Sequence, residues 1–379
     1  MKITKIVLKN WKNFSDIAVN VDSRLFIVGA NASGKSNFLD ALRFMRDIVK
    51  HGGGLQYALS QRGGLKKIRC LSARANPGVG IKLEFSEEKE KWVYDLNIVQ
   101  QQTGSHKSLI QSEIITKNGK IILNRPIKDD RDDEERLTQT HLEQITTNKE
   151  FREIVHYLET IQYLHLVPQL LKFPDAFSGQ DLPDDPFGKG FLQKVAKTPE
   201  KTRQRRLSQI EQVLQQAVPQ LENLVYKEDV GHPHLEVTYK HWRAKGAKQN
   251  EIQLSDGTLR LIGFLWVLLD GQGLLLLEEP ELSLHPGIVD KIPELMYSVQ
   301  RSKKQIRQIL ITTHSSELLS DKGIPLSDIL LLQPDIEGTR AVMANTKENI
   351  EILLEGGMTP GEVVIPITDP RISTGLSLE

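Results

Sequence analysis

Apolar and β-branched residues dominate 3–9 (ITKIVLK) and 25–29 (LFIVG), so both segments predict strands. From Lys35 to about Val49, Phe38, Leu39, Leu42, Met45 and Val49 recur at helical spacing. Five glycines between 51 and 64 predict a loop. Segments 79–85, 92–99, 109–116 and 120–124 predict an antiparallel patch, with Asn118-Gly119 as a hairpin turn. The run Asp129–Glu135 reads as a solvated loop. Helical spacing prevails from about Leu137 to Leu171. It returns over 200–223 through Leu207, Ile210, Val213, Leu214 and Val218, and the prolines and glycines of 173–190 between them predict a flexible surface loop. A strand at 235–242 is followed by a helix (258–269), a strand (274–278), a helix (287–301) and strands at 308–313 and 328–333. Such alternation predicts a parallel sheet covered by helices. The expected architecture is α/β, with 1–125 and 233–379 forming one split domain around a mainly helical insertion at 126–232.

Composition narrows the class without naming it. The 379 residues are 39% hydrophobic and 26% charged, and 49 basic side chains balance 49 acidic ones, so only local patches could favour a polyanion. Cys70, the single cysteine, cannot form an intramolecular disulfide, which suits a reducing compartment. The N-terminal MKITKIVLKNWKNF has no apolar signal-peptide core. The apolar stretch Leu261–Leu277 is broken at Asp270–Gly273, which predicts a buried helix and strand rather than a membrane span. The expectation is a cytoplasmic protein without a membrane partner.

Residues 29–36 read GANASGKS and fit G-x-x-x-x-G-K-[ST]. Gly29 and Gly34 let the backbone turn so that N–H groups face phosphate oxygens. Lys35 would reach the β- and γ-phosphates, Ser36 would ligate Mg²⁺, and the helix beginning there adds its positive end. The whole run Gly29, Ala30, Asn31, Ala32, Ser33, Gly34, Lys35, Ser36 and Asn37 is the candidate nucleotide loop, with ATP and Mg²⁺ as the expected ligands.

A second group lies downstream. LLLLEEPE (274–281) is an apolar strand ending in acids, where Glu278 would hold Mg²⁺ and Glu279 would activate the attacking water; an exposed helix-start cluster is the plainer alternative. LSDG (254–257) places Ser255, Asp256 and Gly257 at a helix start, which suits either a second phosphate cap or an ordinary helix cap. ILITTHS (309–315) ends a strand in Thr313 and His314, a histidine able to meet a γ-phosphate or to be merely structural.

Taken in order, GANASGKSNFLDAL, LSDGTLRLIGF, EEPELSLHP and ITTHSSELL resemble the ABC-type P-loop ATPase head of the RecF, SMC and OLD branch, over about residues 1–60 and 250–335. The resemblance implies an α/β P-loop NTPase head that forms a homodimer, two copies enclosing ATP head to tail. Ser255, Asp256 and Gly257 of one copy, at the start of helix 258–269, would be the family's signature turn and act in trans on the nucleotide of the other. Glu279 would be the catalytic base, His314 the switch histidine, Lys35 a catalytic phosphate ligand and Ser283–His285 the seam. Gln61 would join Ser36 and Glu278 around the metal. Glu278 departs from the usual aspartate by one methylene. Three roles are open: a DNA-associated ATPase in repair or defence, a regulatory ATPase gating a separate nuclease or toxin, and a transporter subunit, the least favoured. The first draws on a basic stretch (Lys194, Lys197, Lys201, Arg203, Arg205, Arg206) and a second group (Arg62, Lys66, Lys67, Arg69), which a solvated surface would explain equally. The second draws on the 65 residues after His314, too few for an OLD-type nuclease domain, and on the wide spacing of Asp328 and Asp335.

Overall fold

The computed structural model describes residues 1–72, 78–101, 106–176, 184–240, 247–301 and 307–368. In chain order the strands are β1 (Lys2–Trp11), β2 (Phe14–Asn20), β3 (Arg24–Gly29), β4 (Val79–Glu87), β5 (Glu90–Gln100), β6 (Ser108–Lys117), β7 (Lys120–Arg125), β8 (Gln162–Leu164), β9 (Leu221–Asp229), β10 (His232–Tyr239), β11 (Ala247–Asn250), β12 (Leu275–Glu278), β13 (Ile309–Thr313), β14 (Ile329–Asp335) and β15 (Gly338–Met343). Two compact units divide the chain. The first comprises Met1–Ile161, Gly273–Leu276 and Arg307–Glu379; the second comprises Gln162–Gln272 and Leu277–Ile306.

The first unit holds an antiparallel sheet of order β2-β1-β4-β5-β6-β7. Its β6–β7 hairpin turns at Asn118 and Gly119, both at positive φ, as the Asn-Gly pair predicts. In a second sheet, β15, β14, β3, β13 and β12 follow one another. Here β3 runs parallel to β13 and β14, while β15 closes the edge antiparallel. Its inner strands are continuous apolar runs (Leu25–Val28, Ile309–Ile311, Ile329–Leu332), all buried, as strands covered on both faces must be. The expected parallel sheet is thus mixed, because β15 folds back on β14.

Between the two sheets' strands in sequence, the helix Lys35–Val49 buries Phe38, Leu39, Leu42 and Met45. The loop expected at 51–64 contains a helix, Leu55–Ser60. Its glycines lie at the ends, with Gly54, Gly63 and Gly64 at positive φ, while Leu55, Ala58 and Leu59 at helical spacing are buried. The charge run at 129–135 is likewise ordered, as a helix Lys128–Asp132 and a 3-10 turn Glu134–Thr138. The cause is Arg125, fully buried, which takes Asp130 bidentately at 2.9 Å and Glu113 at 3.0 Å. A buried guanidinium needs such partners.

The second unit carries the antiparallel sheet β11-β10-β9 and the helices Pro168–Lys172, Phe191–Lys197, Glu200–Ala217, Asp256–Leu269, Pro286–Val289 and Ile292–Arg301. The helix expected over 200–223 ends at Ala217, because Leu221 already belongs to β9. That expected over 287–301 is broken before Ile292; Pro293 has no N–H to continue the ladder. Residues 177–183 of the expected loop, and the end of the strand expected at 235–242, lie outside the described residues.

Candidate functional site

In the first unit, β3 delivers the chain into the glycine loop. Ala32 has φ +62° and Gly34 φ +100°. A Cβ on Gly34 would stand 2.0 Å from Asn13 Nδ2, and one on Gly29 would stand 2.4 Å from Ser33 Oγ and 2.9 Å from the Leu332 carbonyl. Space therefore requires glycine at both positions, and the left-handed φ requires it at Gly34 as well. Gly34 caps the 15-residue helix with no side chain, and the helix has no acid in its first turn. That terminus suits an anion. Lys35 is buried and its ammonium donates to the carbonyls of Gly29 (2.8 Å) and Ala30 (3.2 Å), curling over the loop where a phosphate ligand would be needed. Among the described residues the buried Ser33 hydroxyl has no hydrogen-bond partner. These residues fit the phosphates of a nucleoside triphosphate, which Lys35 and Ser36 would hold together with Mg²⁺.

The loop is braced by residues that the motif does not contain. Asn13 Nδ2 donates to the Ser33 carbonyl at 3.0 Å, Thr339 Oγ1 donates to the same carbonyl at 2.9 Å, and Asn37 Nδ2 donates to Asn13 Oδ1 at 2.8 Å. Trp11 Nε1 donates to the Asn37 carbonyl at 2.8 Å. Sequence reasoning missed Asn13 and Thr339; no local signal marks them, since they sit 20 and 306 residues from Ser33.

His314 follows β13 on the sheet edge where the glycine loop begins, because Thr313 pairs with Val28 in parallel register. The structure thus brings His314 and the loop to one edge, the usual ligand edge of a parallel sheet. Gln61 is exposed and ends the helix Leu55–Ser60. Its neighbour Arg62 is not a surface cation. Its side chain is 8% exposed, grips Asp40 at 2.8 and 2.9 Å and Asp47 at 3.0 Å, and donates to the Ala58 carbonyl at 2.9 Å. Burial pushes the Asp40 carboxyl up, but Arg62 and Lys12 outweigh it and hold the carboxyl below its usual range.

In the second unit, Ser255 caps the 14-residue helix Asp256–Leu269, its hydroxyl accepting from Thr258 N at 3.1 Å. Asp256 is bound by Lys172 Nζ at 2.6 Å and by Gln169 Nε2 at 2.9 Å. A Cβ on Gly257 would lie 2.6 Å from the Ser283 carbonyl, so the signature turn packs against the segment that follows Glu279. Glu279 (φ +44°) and Ser283 (φ +64°) both occupy the left-handed region, a strained choice for non-glycine residues that concentrates at functional turns. Arg260, 4% exposed, holds the Glu279 carbonyl at 3.1 Å. Burial lowers its pKa, with Glu281 and Glu279 partly offsetting that. The Glu278 carboxylate accepts a hydrogen bond from the Tyr163 hydroxyl, and His165 Nδ1 lies 3.3 Å from its carbonyl. Glu278 also lines a small cavity with Arg260, Leu164, Leu166, Phe264, Leu277 and Pro280.

Half of the basic stretch at 194–206 has partners within this unit. Arg203 stacks 4.0 Å from the Tyr226 ring and donates to the Ala196 carbonyl at 2.8 Å. Arg206 pairs with Asp270 at 2.8 Å beneath Trp266, and Lys194 pairs with Asp185 at 3.1 Å. Lys197, Lys201 and Arg205 are exposed. Among the described residues no helix is long and apolar enough to cross a membrane.

Residues 25–320 match the family model described as "AAA domain, putative AbiEii toxin, Type IV TA system". Among curated proteins, the chain is 47% identical over 47 residues to the endonuclease GajA of Bacillus cereus, spanning 12% of this chain and 8% of that protein. It is 29% identical over 125 residues to the DNA replication and repair protein RecF of Natranaerobius thermophilus, spanning 32% of this chain and 29% of that one. The match therefore spans less than a third of either relative's length. Among solved structures, an Smc head bound to the C-terminal winged-helix domain of ScpA superposes with a TM-score of 0.54 at 13% identity, covering 90% of this chain and 97% of that one. The fold is that of a P-loop NTPase head resembling SMC heads, and the sequence is distantly related to RecF.

Proposed function

The chain belongs to the AAA-domain family whose description names a Type IV TA system, and on that premise we propose that it is a regulatory Mg²⁺-ATPase whose nucleotide-dependent homodimer gates a separate nuclease or toxin. The observation that carries the ATPase part is the glycine loop. Its uncapped helix start, sterically obligatory Gly29 and Gly34, and Lys35 held over the loop form a ready phosphate site. Mg²⁺, when bound, supplies charge neutralisation at the phosphates. Lys35 would leave its two carbonyls to take a phosphate oxygen and Ser36 would offer the metal a protein oxygen, with Glu278 and Gln61 as the further ligand candidates from sequence. Glu279 accepts the proton of the attacking water, and Arg260 fixes the backbone from which that carboxylate projects. His314 orients the terminal phosphate. Ser255, Asp256 and Gly257 of a second copy complete the site.

A separate effector is supported by the family description, by the short match to one endonuclease, and by the Smc head that was solved with a bound partner domain. Direct action on DNA is the second reading. The similarity to RecF and the exposed Lys66, Lys67, Arg69, Lys197, Lys201 and Arg205 favour it, but Arg62, Arg203 and Arg206, counted toward it from sequence, have structural partners. The test is to incubate the purified chain with Mg²⁺-ATP and duplex DNA. ATP turnover without strand cleavage is the expected result; cleavage by the chain alone overturns the gating role, and no turnover under any condition overturns the ATPase.

A further inference from the structure

An aspartate in the signature turn poses an electrostatic problem. The start of the helix Asp256–Leu269 would meet a terminal phosphate in trans, and a carboxylate in its first turn repels any incoming anion. The structure answers this locally. Lys172 Nζ takes Asp256 Oδ1 at 2.6 Å and Gln169 Nε2 takes Oδ2 at 2.9 Å, so both carboxylate oxygens are engaged and the pair is neutral. Lys172 is only 13% exposed, whereas Asp256 is 40% exposed, so the cation is fixed and the carboxylate faces outward.

Packing holds this arrangement. Lys172 and Gln169 share the helix Pro168–Lys172, whose Leu171 is buried. Leu166 and Leu171 lie against Gly263 of the signature helix, where a Cβ would stand 3.1 and 3.2 Å from their methyl groups. A small residue at Gly263 lets the two segments approach closely enough for Lys172 to reach Asp256.

We infer that Lys172 is a charge-compensating, positioning residue for the signature turn: by neutralising Asp256 it lets Ser255–Gly257 accept the terminal phosphate carried by a second copy. This rests on the dimer proposed above. Loss of one compensating charge at a helix terminus is expected to weaken each phosphate contact about fivefold. Because a symmetric dimer has two such contacts, association should weaken about 25-fold.

The test uses the full chain carrying Glu279→Gln, with dimer affinity measured by analytical ultracentrifugation in Mg²⁺-ATP and monomer ATP affinity by a fluorescent analogue. Lys172→Met should weaken the dimer about 25-fold while leaving monomer ATP affinity unchanged. Lys172→Arg should dimerise like the parent, and Lys172→Met with Asp256→Asn should recover most of the loss. If Lys172→Met dimerises like the parent, or if the double variant stays as weak as the single, the inference is overturned; the second outcome would assign Lys172 a purely structural role. A parent with no ATP-dependent dimer overturns the sandwich and this inference together, and is seen before any Lys172 variant is made.

Discussion

Replacing Arg62 by Met separates a structural guanidinium from a DNA-binding one. The side chain makes two hydrogen bonds to Asp40, one to Asp47 and one to the Ala58 carbonyl, and lies 5.3 Å from the Phe44 ring centre. Removing one partner of a buried ion pair costs about 3–5 kcal/mol. Here Asp40 keeps Lys12 at 2.7 Å and Asp47 keeps Arg46 at 3.1 Å and Lys50 at 3.4 Å, so the low end, about 3 kcal/mol, applies. With a urea slope of about 2 kcal/mol per molar, the unfolding midpoint of the first unit should fall by about 1.5 M at pH 7. The effect is pH-dependent with a definite sign. Asp40 is held below its usual range, so its contribution is present above the unfolded carboxylate pKa of about 4 and is lost as the pH falls through the lower folded value. The gap between wild type and Arg62→Met should therefore close on strong acidification. A midpoint that moves by less than about 0.3 M at pH 7 would refute the buried-network account. Salt-sensitive loss of DNA affinity without a stability change would return Arg62 to the DNA reading.

Gly34→Ala must accommodate φ +100° and a Cβ 2.0 Å from Asn13 Nδ2, and should weaken ATP binding by about tenfold or more in a titration with a fluorescent analogue; unchanged affinity would contradict the loop geometry. Gly257→Ala, whose Cβ would press on the Ser283 carbonyl at 2.6 Å, should impair ATP-dependent dimerisation while leaving monomer ATP affinity intact, as read by light scattering beside binding. His141 has its pKa lowered to about 4, by burial first and then by Arg125. Its stabilising effect is present above about pH 6.5, the unfolded value, and is lost as the pH falls toward 4. His141→Gln should flatten that part of the stability profile in thermal melts between pH 7 and 4.5.

The glycine loop and its strand and helix were legible because each signal is local, with spacing, turn residues and periodicity falling within a few positions. The same holds for the Asn118-Gly119 hairpin. The helix Leu55–Ser60 was hidden by its glycines, which look like a loop in composition but act as stops at either end. Charge was the least legible property. Sequence displays the sign of Arg62, Arg203 and Arg206 but not the Asp40, Tyr226 and Asp270 that engage them. Asn13, Thr339, Tyr163 and Lys172 were invisible for the same reason, since their partners stand between 20 and 306 residues away in the chain.

An ATP sandwich in which Glu279 activates the attacking water is the proposal to test first, by measuring ATP turnover and molecular mass, with and without Mg²⁺-ATP, for the wild type and Glu279→Gln. Turnover by the wild type alone, with an ATP-trapped dimer of the variant, is the predicted result. Equal turnover by both proteins, or a variant that stays monomeric with ATP bound, would contradict it.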